Sequence, residues 1–237
     1  MPSPIRLADF DAVTFDVYGT LIDWEPTLTE FLVRIARAAG IATPGPALMA
    51  VYDRIRARIQ IEYPTLLYPE ILRRCYDAFC RELNIAPTDA DRAAFGRGPE
   101  TWPAYADIAA SLKALQARAK IGALSNIDEA SLKGSCRKLD IAFDLVVTAE
   151  RVRNYKPALP HFKTALSELQ AMGIPKERVL HVAQSLRADV APANALGLTC
   201  VWVNRKGRQL GLTGAGTAEA KPDMTVGSLE ELLRTIG

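Results

Sequence analysis

The sequence predicts an α/β fold: a doubly wound parallel sheet with a Rossmann-like core, and a helical segment inserted into it. Three observations predict this. A short apolar run with one carboxylate stands near the start. A long strand-free stretch with helical periodicity follows. After Pro103, amphipathic helices and apolar runs alternate to the region of Val203. Apolar strands alternating with amphipathic helices indicate a parallel sheet covered on both faces.

The elements are justified in chain order. Residues 12–17, Ala-Val-Thr-Phe-Asp-Val, read as a buried strand running into a polar loop, with Gly19 as the breaker. From Thr27 to about Phe95 the apolar spacing turns helical. Leu28, Phe31, Leu32 and Ile35 form one face, Val51, Tyr52, Ile55 and Ile59 a second, and Leu72, Tyr76, Phe79 and Leu83 a third. Downstream, helices over 108–117, 129–139, 160–172 and 186–196 precede strands over 121–125, 144–147, 178–182 and 200–203 respectively. The Gly-, Thr- and Ala-rich segment 207–221 reads as a surface loop. Residues 1–22 and 98–237 are thereby assigned to an α/β core, and 23–97 to a helical insert.

Composition narrows the class. The 237 residues are 49% hydrophobic and 24% charged, as in an ordinary globular protein, and can bury a sizeable core. A formal charge of +2, with no long basic run, points away from nucleic acid and membrane surfaces. The first residues, Met1-Pro2-Ser3-Pro4-Ile5-Arg6, lack the apolar core of a signal peptide, and no stretch is apolar enough to span a bilayer. Cys75, Cys80, Cys136 and Cys200 lack zinc-ligand spacing and read as free thiols. A cytoplasmic protein is the expectation. His161 and His181 have no neighbouring Cys or acid to form a ligand pattern, and read as structural or surface residues.

In doubly wound sheets the ligand site lies at the carboxyl ends of the strands. Four such ends carry chemistry here: Asp16-Val17-Tyr18-Gly19-Thr20, then Ser125-Asn126, then Tyr155-Lys156-Pro157, then Gln184-Ser185 with Asp189 one turn on. Alone, each has an ordinary reading as a turn, loop or solvated helix residue. Their order brings two carboxylates, an ammonium and hydroxyls to one sheet edge, which meets the geometric checklist for an active site.

With those residues in view, the chain resembles the haloacid dehalogenase superfamily over nearly its whole length. Phe15-Asp16-Val17-Tyr18-Gly19-Thr20-Leu21 is similar to that superfamily's first motif. Ser125-Asn126, Lys156-Pro157 and the stretch from Ser185 to Asp189 are similar to the second, third and fourth. The resemblance implies that the helical insert, 23–97, is a helical cap. Most members are phosphatases, with a second Asp two residues after the nucleophile and a magnesium-binding acid opening the fourth motif. Here those positions are Tyr18 and Gln184. Tyr at the former is what (S)-2-haloacid dehalogenases (type II) show.

The resemblance therefore implies hydrolytic dehalogenation of short 2-haloalkanoic acids without a cofactor or metal. Asp16 would displace halide and form an ester, which water then hydrolyses at the Asp carbonyl. Lys156 would hold Asp16 ionised. Asp189 would orient Lys156 and the water. Thr20, Ser125 and Asn126 would donate hydrogen bonds to Asp16 or to the substrate carboxylate. Tyr18 would wall the reacting carbon, and Ser185 would contact substrate. In the resembled subfamily a cap arginine three residues before a Gln-x-Glu-Tyr segment receives the halide. Gln60-Ile61-Glu62-Tyr63 matches, yet Ala57 stands at the arginine position, between Arg56 and Arg58. Arg58 is placed at the edge of the apolar face and is the expected receiver, with Arg56 as its rival. Leu186 replaces an expected Asn, and Phe162 an expected Tyr. A magnesium-dependent phosphatase of the same superfamily and a non-catalytic binding protein on this fold are the alternatives. The expected partner is a small halogenated carboxylate; nucleic acid and membrane are not expected, and a homodimer is the one protein assembly admitted.

Overall fold

The computed structural model describes residues 4–205 and 220–237. Most of the predicted loop at 207–221 lies outside these. Six strands form one parallel sheet: β1 (Ala12–Phe15), β2 (Lys120–Ser125), β3 (Leu145–Thr148), β4 (Val179–Ala183), β5 (Thr199–Val203) and β6 (Met224–Val226). Their order is β3-β2-β1-β4-β5-β6, so the chain reverses direction across the sheet beside β1. The doubly wound core expected from the sequence is the observed one.

Every residue of β1 and β4 is buried. Alternate positions feed two cores, as the two-residue period of a strand requires. Val13, Phe15, Leu180, Val182, Val201 and Val203 join one, while Ala12, Val179, Cys200 and Trp202 join the other. Helices α5 (Ile108–Gln116), α6 (Glu129–Leu139) and α10 (Leu229–Ile236) cover the first face. Helices α8 (Pro160–Ala171) and α9 (Ala191–Ala195) cover the second.

Between β1 and β2 the chain forms α1 (Glu25–Ala38), α2 (Gly45–Glu62), α3 (Tyr68–Glu82) and α4 (Asp89–Gly96). Buried stripes on the first three, among them Leu28, Leu32 and Ile35, Tyr52, Ile55 and Ile59, and Leu72, Tyr76 and Phe79, follow the spacings read from the sequence. These stripes close on a cluster of aromatic rings around Phe95, which meets Phe31, Tyr52 and Tyr76 at centroid distances of 5.1–5.9 Å. This core is continuous with the first face of the sheet. The four-residue α7 (Ala149–Val152), α4, β6 and α10 were not read from the sequence.

All four cysteines are free: Cys75, Cys80 and Cys200 are buried, and Cys136 is partly exposed. No helix among the described residues is long and apolar enough to cross a membrane.

Candidate active site

β1 delivers Asp16 to the sheet edge, where its backbone N–H donates to Val182 O at 3.1 Å and so extends the β1–β4 pairing by one residue. The chain then turns at once. Leu21 and Ile22 N–H groups return to Val17 O, and Gly19 adopts φ +104°. A Cβ on Gly19 would lie 2.9 Å from the Gln184 carboxamide oxygen and 3.3 Å from Trp24 Nε1. Glycine is favoured here by its conformation, and a Cβ would also require the Gln184 carboxamide to shift. The tight loop folds Thr20 back over Asp16: Thr20 Oγ1 donates to Asp16 Oδ2 at 2.8 Å and accepts Gln184 N–H at 2.9 Å.

Lys156 enters from the loop after β3. Its ammonium donates to Asp16 Oδ1 (3.0 Å), Asp189 Oδ1 (2.6 Å) and Leu124 O (2.7 Å), at only 2% exposure. Asp16 and Asp189 are buried too, at 6% and 0% exposure. Burial pushes the Asp16 carboxyl above its usual range, and the opposing effect of Lys156 does not fully offset this. Lys156 acts on Asp16 in the direction expected of it, favouring the ionised form against burial. For Asp189 burial acts in the same direction, but Lys156 and His181 outweigh it and hold this carboxyl low. Burial works against the Lys156 charge, yet the two carboxylates hold its pKa above the ordinary lysine value. Lys156 thus keeps its charge between the two carboxylates.

The remaining predicted residues fall into distinct positions. Ser125 ends β2 fully buried, lines the cleft, and its hydroxyl has no hydrogen-bond partner among the described residues. Asn126 departs from its expected role. Its Nδ2 donates to Lys156 O (3.0 Å) and its Oδ1 accepts Lys156 N–H (2.6 Å), so the carboxamide clamps the lysine backbone rather than donating to Asp16. Ser185 lines the cleft while capping the π-helical turn Leu186–Val190 through Ala188 N–H. Tyr18 packs edge-on against Trp102 (5.6 Å), and its hydroxyl is 2.7 Å from Ser135 Oγ, leaving its ring toward the cleft.

Arg58 is solvent-exposed and does not line the cleft, so it is corrected as the predicted receiver. Arg56 lines it, with its guanidinium 5.2 Å from the Trp24 ring centroid and 2.9 Å from Asp53. The reason is angular. Two residues on a helix are separated by about 200°, and α2 turns Met49, Asp53, Arg56 and Gln60 to the cleft in one stripe. That i, i+4, i+7, i+11 spacing was available in the sequence.

Both histidines are buried beside the site, which fits the structural role, one of the two expected for them. His181 Nε2 is 3.3 Å from Asp189 Oδ1, and Thr14 Oγ1 is 3.0 Å from its Nδ1. His161 Nε2 lies 3.2 Å from Ser125 O, and burial followed by the Lys156 charge lowers its pKa to about 3, so it stays neutral. Phe162 packs edge-on on His181 at 5.1 Å. The sequence signal for His181 was its place two residues before the end of a site-bearing strand.

Together these groups floor a cleft of about 780 Å³, walled by α2 and by the turn after β4. Its donor set does not suit magnesium. Gln184 offers a neutral carboxamide, and the ammonium of Lys156 occupies one oxygen of each carboxylate. Among the described residues no three His, Cys, Asp or Glu are grouped to hold a metal. A hard dication needs anionic oxygens.

A family model for haloacid dehalogenase-like hydrolases matches residues 10–197. The haloacid dehalogenase-like hydrolase domain-containing protein 3 of Danio rerio is 32% identical over 138 residues, covering 57% of this chain and about half (53%) of that protein. A phosphoglycolate phosphatase of Photorhabdus laumondii is 26% identical over 95% of this chain and 92% of its own. The fold is also that of the L-2-haloacid dehalogenase of Xanthobacter autotrophicus with chloropropionic acid covalently bound. That structure has a TM-score of 0.75 at 21% identity and covers 95% of this chain and 97% of that one.

Proposed function

The chain belongs to the haloacid dehalogenase-like hydrolases, and from that premise we propose that it hydrolyses the carbon–halogen bond of 2-haloalkanoic acids with Asp16 as nucleophile and no metal. The observation that carries the reading is the place of Tyr18. A phosphate ester leaves as an alkoxide and needs a proton from a positioned acid. Two residues after Asp16 stands a phenol whose hydroxyl is spent on Ser135. A halide leaves without a proton.

In the proposed reaction an Asp16 carboxylate oxygen attacks C2 in line. The new C–O bond forms as the C–halogen bond breaks, and the electron pair departs with the halide. Arg56, the cleft-facing guanidinium of α2, receives it. Water then attacks the Asp16 carbonyl carbon, and one of its protons passes to the 2-oxygen as the acyl C–O bond breaks. The other is released to solvent as the Asp16 carboxylate is regenerated, and the 2-hydroxy acid leaves with one inversion at C2. Thr20 and Lys156 occupy both Asp16 oxygens in the resting site, which fixes the carboxylate plane and stabilises charge as it develops on the carbonyl during hydrolysis. Asp189 aims Lys156, and its Oδ2, buried without a partner among the described residues, is an acceptor for the hydrolytic water. The covalent chloropropionic acid of the Xanthobacter enzyme supports an ester route on this fold.

A second reading, a magnesium-dependent phosphatase, is favoured by the full-length similarity to phosphoglycolate phosphatase. One assay separates the two: halide release from chloro-, bromo- and fluoroacetate beside phosphate release from an ester panel, each with EDTA and with added Mg²⁺. Halide release unaffected by EDTA is expected. Phosphate release that requires Mg²⁺ and is lost in Asp16→Asn would establish the second reading.

A further inference from the structure

The cleft is far larger than a two-carbon acid requires, since about 780 Å³ lies in the range of pockets that take drug-sized ligands. Its cations are also unevenly satisfied. Lys156 is held by Asp16 and Asp189, Arg54 by Glu82, Arg56 by Asp53 and Arg205 by Asp107. Arg187, on the turn after β4, lines the same cleft, and among the described residues it makes no hydrogen bond or ion pair. It is half-buried, and both burial and the nearby Arg56 disfavour its charge. The nearby Asp53 carboxylate favours its charge but does not offset these effects, and an anion arriving in the cleft would add to that compensation.

Arg187 also stands at a junction. A second cavity, of about 370 Å³, shares Ala57, Gln60, Lys156 and Arg187 with the cleft. Beyond that boundary its wall is largely apolar, formed by Ile61, Pro64, Tyr155, Pro157 and Ala158 with the polar Asn154 among them. Ile61 is 73% exposed, an unusual place for a large aliphatic residue that no neighbour covers. A cation at the neck and an aliphatic wall behind it match one kind of ligand, a carboxylate carrying an alkyl chain.

We infer that Arg187 anchors the substrate carboxylate and that the annex behind it takes an alkyl substituent of several carbons, making medium-chain 2-substituted acids the substrate class. This rests on the proposed dehalogenation for the reaction, though not for the binding. Arg56 is thereby left to receive the halide, and the two guanidiniums divide the two anions between them.

The test is a binding measurement that needs no turnover. Acetate, butanoate and hexanoate are titrated calorimetrically into the wild-type protein, Arg187→Gln, Arg187→Lys and Ile61→Ser. Burial of each added methylene should tighten wild-type binding roughly three- to fourfold. Arg187→Gln should weaken hexanoate binding about 10- to 100-fold, as the loss of a charge-assisted contact implies. Arg187→Lys, which keeps the charge and guards against a merely unfolded variant, should recover part of the loss. Ile61→Ser should shrink the ratio of hexanoate to acetate affinity. Hexanoate binding equal in wild type and Arg187→Gln, or no gain with chain length in the wild type, would overturn the inference. If the acids bind as expected while no 2-haloacid is turned over, the reaction assignment fails and the binding assignment stands.

Discussion

Lys156 lies between two carboxylates in a site closed to water, and much of the chemistry follows from that one ammonium. Removing one partner from a buried ion pair leaves uncompensated charge, at a cost of about 3–5 kcal/mol. Lys156→Ala should lose that much stability at neutral pH in urea denaturation. The loss should shrink as pH falls, because a proton on Asp16 relieves the repulsion from Asp189. A loss under about 1 kcal/mol at neutral pH would contradict a charged triad. The same environment sets the pH profile. Burial raises the Asp16 pKa above the usual 3.8, and only the ionised form attacks carbon. The kcat/KM for a haloacid should therefore fall on the acid side, through a limb displaced upward from 3.8; a limb at or below that value would contradict the buried geometry. At the cleft wall, Arg56→Ala should lower kcat by more than about tenfold, from a charge-assisted contact of ~1.5–3 kcal/mol, with Arg58→Ala close to wild type. Equal effects in steady-state assays would remove Arg56 from the halide site.

The loop after β1 shows how an element positions chemistry. Gly19 takes a left-handed φ in contact with Gln184 and Trp24, and the turn it allows returns Thr20 to Asp16. Gly19→Ala should cost about 1–3 kcal/mol of stability and lower kcat together with it. Full activity at wild-type stability would show that the loop tolerates a Cβ. Legibility at this scale follows length and local chemistry. Helix α6 was read with its observed bounds, because Asp128 caps it through Ser131 N–H and Leu132 and Leu139 mark its buried face. Helix α7 and strand β6 span four and three residues, about one period each, so no periodicity can announce them. On α2 the inward face was legible from Tyr52, Ile55 and Ile59, but the cleft-facing stripe carries Met49, Asp53, Arg56 and Gln60. Mixed polarity hid that stripe from a hydrophobic pattern, and Arg58 was favoured on adjacency to the apolar edge alone.

In the whole molecule the reversal of strand order beside β1 opens the sheet edge, and α2, with Glu25 of α1 and Tyr68 of α3, lines the cleft there. Asp16, Ser125, Lys156 and Asp189 were legible because each follows a strand at its carboxyl end, where topology gathers residues far apart in sequence. The contacts of His181 with Asp189 and of Asn126 with the Lys156 backbone had no sequence signal, because these partners are fixed only by that three-dimensional gathering. The annex and Arg187 have no sequence signature at all, since they arise where α2 meets the loop carrying Lys156.

The central claim is displacement of halide by Asp16 without metal. A single turnover of 2-chloropropionate in ¹⁸O water with EDTA present, followed by mass spectrometry of the Asp16 peptide and of the product, tests it most directly. The account predicts chloride release, ¹⁸O in the Asp16 carboxylate and unlabelled oxygen in the first-turnover lactate. Labelled lactate with unlabelled Asp16, or no chloride until Mg²⁺ is added, would contradict it.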